Sequence, residues 1–293
     1  INGDKYLVGS KYLDPPIYTS VERAKYRYLI DRKLELKENT RFLSICRKFL
    51  KVSYKEKPTC NKFPKVVEKF VPVKMTSEWQ DAYNDLIQGD NYLRLQFKKP
   101  EAFYNAHRRA VNNIGSDEYF TNKLSTMLDI IKNGKTLIYT NWIDFGLKPI
   151  QEFLNEYDIS NAKFYGSLTP RYRQEIVNLF NNDDIQVLII TSAGAEGIDL
   201  KGVRNIIILD PVWNDAKLKQ IIGRGARYKS HENLPLNQRL VNVYKMVLTE
   251  QDLEENWMVD ETSLSGDVLL YRIIINKEKI NENISIMLKE FSI

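Results

Sequence analysis

After residue 135 the chain settles into a beat of short apolar runs, at 136–140, 162–165, 185–191, 205–209 and 239–247, and this beat restricts the fold more than any other feature. Runs such as Leu137-Ile138-Tyr139, Leu188-Ile189-Ile190 and Ile206-Ile207-Ile208 are too short for core helices. They also lack the alternation of a strand with one wet face, so they predict strands buried on both faces. Between them, 145–157, 169–180 and 214–227 read as helices. A strand that leads through a helix to a parallel neighbour needs a crossover, and crossovers are right-handed. The expected class is α/β, a parallel sheet flanked by helices.

Ligands of such sheets gather beyond the carboxyl ends of the strands, where loops and helix N-termini point. Residues 191–200 lie at one such end. Gly194 and Gly197 permit backbone conformations that other residues resist, and Thr191 and Ser192 offer hydroxyls. Asp199 is placed to accept either from a ribose or from arginines. Those arginines come two elements later, where Gln220, Gly223, Arg224 and Arg227 follow a Gln-x-x-Gly-Arg-x-x-Arg spacing. On a helix, residues three apart share a face, so the two guanidinium forks aim at one place. Paired forks suit a polyphosphate.

Nothing in the chain reads as a nucleotide pocket of its own. Gly134-Lys135-Thr136 imitates the tail of a phosphate-binding loop, but such a loop follows a strand and opens a helix, whereas Lys135 precedes a strand. Asp210 ends an apolar run as a metal-binding acid would, yet Pro211 stands where the second acid belongs, so Asp210 is expected to be structural. His107 and His231 are the only histidines, too isolated for a metal site, and surface or capping roles are expected of them. The arginines should therefore complete a pocket that another domain supplies.

At 293 residues the chain can form one large or two ordinary domains. Its net charge of +5 permits a nucleic-acid partner without demanding one. Two cysteines, Cys46 and Cys60, suggest neither a disulfide framework nor zinc, and fit a reducing compartment. No apolar run is long enough to span a membrane. The start, Ile1-Asn2-Gly3-Asp4-Lys5, lacks an initiator Met and a signal pattern, which points to a piece of a longer protein. Helices are expected near 20–36 and 41–49. Residues 63–75 read as an edge-like strand interrupted by Pro64 and Pro72, followed by a helix capped by Thr76. Residues 93–115 are basic with aromatics interleaved. A helix is expected at 116–132, and a last one at roughly 267–291.

The motifs resemble the C-terminal RecA-like lobe of superfamily 2 helicases, of the Snf2-like group. Residues 136–142 are similar to its motif IV, 191–200 to motif V and 220–227 to motif VI, while Asp210-Pro211-Val212-Trp213-Asn214 resembles the signature that precedes motif VI. Residues 227–244 and the tail from Gly266 resemble helicases of large cytoplasmic DNA viruses, such as poxvirus nucleoside triphosphatase I and the early transcription factor small subunit.

The resemblance implies a RecA-like lobe at 135–248, preceded by a helical region at 1–70 and connector helices at 71–134, and followed by a helical extension at 249–293. It also implies an ATP-dependent helicase or translocase using ATP with Mg, both held mainly by an N-terminal lobe of the same protein. Arg227 would be the arginine finger and Arg224 its companion, with Gln220, Gly223, Glu196, Gly197 and Asp199 on the nucleotide side. Thr140, Asn141, Ser167, Thr191 and Ser192 would touch the nucleic-acid backbone. The implied partners are double-stranded DNA and transcription machinery, and the implied setting is the cytoplasm or a virion. A motor subunit of a restriction or repair complex, or a non-catalytic nucleic-acid-binding module, would use the same lobe.

Overall fold

Among the described residues, six strands, all parallel, run in the order β1-β6-β5-β2-β4-β3. They are β1 (Lys65–Lys74), β2 (Thr136–Thr140), β3 (Asn161–Phe164), β4 (Val187–Thr191), β5 (Asn205–Ile208) and β6 (Leu240–Thr249). The helices are α1 (Ser77–Phe97), α2 (Asn105–Ala110), α3 (Asn122–Ile131), α4 (Lys148–Glu156), α5 (Pro170–Asn181), α6 (Asp215–Gly225) and α7 (Gly266–Lys289). This computed structural model describes residues 62–97, 105–112, 122–192, 197–212, 215–250 and 265–289. The helices expected near 20–36 and 41–49 lie outside the described residues.

The double burial expected of the strands is present. Every residue of β2, β4 and β5 is buried. Their side chains divide by alternation between two cores. Ile138, Ile189, Ile207 and Leu209 join Trp79, Tyr83, Met127, Ile131 and Ile150 on the face covered by α1, α3 and α4. Leu137, Tyr139, Ile190 and Ile206 join Ile176, Phe180, Ile221 and Ile222 on the face covered by α5 and α6. The connections β3-α5-β4 and β5-α6-β6 both step toward β1 on one face, and β2-α4-β3 steps the other way on the opposite face, so all three share one hand.

Residues 65–74 are a strand at the sheet edge, as Pro72 implies, because a proline cannot donate to a further ladder. They differ from expectation in belonging to the sheet itself. Val67 aligns with Asn242 and Val73 with Leu248 along β6, so the lobe begins before residue 71 and its first strand is no connector.

Contacts divide the chain into one unit of Cys60–Tyr92 with Tyr104–Tyr271, which holds the whole sheet, and another of Ile1–Thr59, Leu93–Phe103 and Arg272–Ile293. The described residues of the second unit are helical. No helix among the described residues is long and apolar enough to cross a membrane.

Candidate nucleotide and nucleic-acid interfaces

The carboxyl edge of the sheet is organised around Asp210. Its carboxylate, buried just past β5, accepts from Thr140 Oγ1 at 2.8 Å and from the Asn141 backbone N–H at 2.6 Å. Asn112 Nδ2 donates to its other oxygen. Asn141 is fixed further, donating to the Pro211 carbonyl at 3.1 Å and accepting from the Tyr139 hydroxyl at 3.0 Å. Burial, reinforced by the nearby Asp210 charge, holds the Tyr139 phenol well above its ordinary value, so it remains a donor. Asp210 thus ties the loop after β2 to the end of β5, the structural role expected of it. Of the residues implied to touch a nucleic-acid backbone, Thr140 and Thr191 are buried, and the Thr140 hydroxyl is committed to Asp210. Asn141 and Ser192 are half-buried, and Ser167 is exposed.

Gly146 explains how that loop is held. Residues Ile143–Leu147 form a single π-helical turn packed directly on Thr140, and a Cβ on Gly146 would overlap the Thr140 hydroxyl. The continuous helix expected at 145–157 is therefore a π turn followed by α4.

The arginines lie at the far end of α6. Leu218, Ile221, Ile222 and Gly225 form its buried face, and Gly225 packs so closely on Val203 that a Cβ would stand 3.1 Å from that side chain. The helix ends at Gly225, not at residue 227. The Arg227 N–H donates to Ser230 Oγ at 3.1 Å, turning the chain away, and Lys229 adopts φ of 62°. Arg224 and Arg227 are therefore not neighbours on one helical face. They share a neighbourhood by another route, since Leu200 N–H donates to the Arg224 carbonyl at 3.2 Å and Gly202 N–H to the Ser230 carbonyl at 3.0 Å. These bonds bring the 197–202 loop alongside.

Asp199, for which ribose or arginine was open, faces Arg227. The guanidinium lies 3.4 Å from Asp199 Oδ1 and 3.4 Å from the Ile198 carbonyl. Both contacts are long, and both side chains are exposed, so the pair is weak and exchangeable. Arg224 Nε is buried without a hydrogen-bond partner. Beside it, Gly223 has open space where a Cβ would stand, and Gln220 is exposed. Gly197 sits at φ of 77°, a left-handed conformation that favours glycine. It and Asp199 line a cleft of about 380 Å³ with Arg173, Asn181 and Lys201. Glu196 and Gly194 lie outside the described residues.

Residues 121–229 match the family model of the helicase conserved C-terminal domain. That segment is similar to helicase C-terminal domains. A putative ATP-dependent RNA helicase, L538, of Acanthamoeba polyphaga mimivirus is 34% identical over 179 residues, covering 60% of this chain and 40% of that protein. Nucleoside triphosphatase I of Melanoplus sanguinipes entomopoxvirus is 32% identical over 191 residues, covering 61% of this chain and 29% of that protein. The chain thus spans less than half the length of these viral relatives. Its fold superposes on the crystal structure of the C-terminal part of the Fun30 ATPase domain with a TM-score of 0.51 at 15% identity, over 78% of this chain and 98% of that one. That likeness concerns the fold, a RecA-like parallel sheet.

His231 corrects an expectation. It is buried, not on the surface: Nε2 lies 2.7 Å from the Val203 carbonyl and Nδ1 2.8 Å from Ser230 Oγ. Nε2 is therefore the donor to Val203, and burial pushes its pKa down. The side chain of His107 lies outside the description, although its backbone is in α2.

A second feature escaped sequence reasoning altogether. The Lys123 ammonium is fully buried, donating to the Leu209 carbonyl at 3.0 Å and to Asn112 Oδ1 at 3.2 Å, and it forms an ion pair with buried Asp267. Asp267 in turn accepts from the Leu248 N–H at 2.9 Å. A signal was available, because Lys123 is spaced four and eight residues from Met127 and Ile131, and so lies on the buried face of α3.

Proposed function

We propose that the chain is the second motor lobe of an ATP-dependent, Snf2-like helicase or translocase that tracks along nucleic acid, with duplex DNA as the expected track and viral transcription as the setting. The P-loop and the Mg would lie on a partner lobe. The donors on this side are cations, suited to a phosphate tail. Among the described residues, no group of three or more His, Cys, Asp or Glu could hold a metal ion.

The observation that carries the reading is the pairing of Arg224, with a buried and unpartnered Nε, and Arg227, held by weak contacts to Asp199 and the Ile198 carbonyl. On closure of the two lobes, Arg227 would exchange Asp199 for the terminal phosphate. There its charge would stabilise the negative oxygens of the transferring group. Lobe closure and opening would then move the track, which Asn141, Ser192 and Ser167 would hold by its sugar-phosphate backbone. Contacts of that kind carry no base information.

In the polypeptide that joins this lobe to its P-loop partner, Arg227→Ala should lower ATP turnover by about three to five decades while leaving nucleotide affinity within a few-fold. Single-turnover hydrolysis and nucleotide binding measured side by side would decide it, and turnover at the unsubstituted rate would remove the assignment. The 293-residue chain alone should not turn over ATP, and robust hydrolysis by it would sink the two-lobe reading.

A further inference from the structure

Asn141 and Trp142 sit on the loop after β2, yet part of what holds that loop starts at α7, far away in the sequence. The first turn of α7 is pinned to the end of β6. The Ser265 N–H donates to Glu250 at 2.9 Å, the Ser265 hydroxyl to the Leu248 carbonyl, and the Leu248 N–H to Asp267 Oδ2 at 2.9 Å. The Gly266 N–H donates to the Tyr83 hydroxyl of α1 at 2.8 Å.

From Asp267 a line of buried polar groups runs to the loop. Asp267 pairs with the Lys123 ammonium, which donates to the Leu209 carbonyl and to Asn112 Oδ1. Asn112 Nδ2 donates to Asp210 Oδ1, and Asp210 Oδ2 accepts from the Thr140 hydroxyl and the Asn141 N–H. All four of Asp267, Lys123, Asn112 and Asp210 are buried. Lys123 thus grips both the backbone that precedes Asp210 and the amide that orients its carboxylate. The segment that carries Asn112 reaches the loop a second way. Arg108 and Arg109 of α2 stack on the Trp142 ring, with guanidinium carbons 5.1 Å and 5.0 Å from its centroid.

The line has one sense. A carboxylate only accepts and an ammonium only donates, so Asn112 must turn its NH2 to Asp210 and its oxygen to Lys123. Both neighbours reject the flipped amide. Stability alone does not account for the ion pair at the far end. A buried pair is often no better than apolar residues of the same volume, and Asp267 Oδ1 is buried without a hydrogen-bond partner. Apolar residues could fill the space, but they could not fix the orientation of Asn112.

We propose that Lys123 and Asp267 are positioning residues that act through Asn112 and Asp210 to set Asn141, so that the first turn of α7 governs the loop after β2. The proposal rests on the motor-lobe reading only for what Asn141 then touches.

The test uses amide NMR and hydrogen exchange on the 293-residue chain. The Asn141 N–H, 2.6 Å from a carboxylate oxygen, should resonate far downfield and exchange slowly. In Lys123→Met/Asp267→Leu the urea midpoint should lie close to that of the parent chain. The Asn141 resonance should nevertheless move upfield and its exchange quicken about tenfold, with exchange in β4 unchanged. A merely structural pair would leave Asn141 unmoved, and that result would overturn the proposal. Asp267→Asn keeps the shape of the side chain and removes its charge, which covers the case in which the double variant does not fold. It should shift the Asn112 side-chain amide and the Asn141 amide together, and parental positions for both would overturn the proposal. No ligand enters these measurements, so their failure leaves the motor-lobe reading standing, and failure of that reading leaves the positioning intact.

Discussion

At the scale of single residues, the Lys123–Asp267 pair decides most. An ammonium and a carboxylate taken fully out of water lose hydration that their attraction only partly returns. Removing one partner strands the other, so Lys123→Met should cost about 3–5 kcal/mol in urea unfolding. Replacing both with apolar residues of similar volume should recover most of that loss. A single substitution costing under about 1 kcal/mol would show that the pair is not buried as described. The pair also sets a pH dependence. Burial pushes the Asp267 carboxyl up to about 6 against the pull of Lys123. Because the folded value is raised, its contribution to stability is complete below the ordinary carboxylate value of 3.8 and is lost as pH rises through about 6. Without Lys123 the carboxyl climbs further, and the loss in Lys123→Met should move to higher pH.

At the scale of elements, the turns carry more than the helices and strands they join. Gly146→Ala forces its new methyl group against Thr140. The Thr140–Asp210 bond and the Trp142 stack should then loosen together, with a cost of about 1–3 kcal/mol for overpacking. Broadened resonances confined to residues 139–147 and the Arg109 side chain would show it, and an unperturbed spectrum would separate the turn from the stack. This turn was not legible in the sequence. Residues 145–157 have helical spacing, and only tertiary contact with Thr140 makes the first of them π-helical. The end of α6 was hidden for the same reason. Arg227 fits the helical pattern by spacing, but the Ser230 hydroxyl captures its N–H and ends the helix two residues earlier. What pairs Arg227 with Asp199 is a loop packed alongside, which no local spacing encodes.

At the scale of the whole lobe, most of the sheet was legible because burial on two faces leaves a mark that composition cannot hide. The strands β2, β4 and β5 are runs of Val, Ile, Leu, Tyr and Thr, opened in β5 by Asn205, and they occupy the middle of the sheet. The order of the strands was not legible, nor was the membership of β1, whose alternating residues and Pro72 bear no mark of burial on two faces. Burial and order together predict where the lobe opens first. Amide exchange should be slowest in β2, β4 and β5, whose N–H groups are paired and covered on both faces, and should approach the global unfolding rate there. It should be much faster in β1, which has a partner on one side only, and in β3, which is short and half-buried. Lys245–Glu68 at 2.9 Å, the edge-on contact of Phe70 with Tyr271 at 5.0 Å and the burial of Val73 tie β1 down from its middle to its C-terminal end. Its exposed N-terminal residues 65–67 should therefore exchange before residues 70–73. Protection in β1 equal to that in β4 would mean that the edge is covered in solution by further polypeptide.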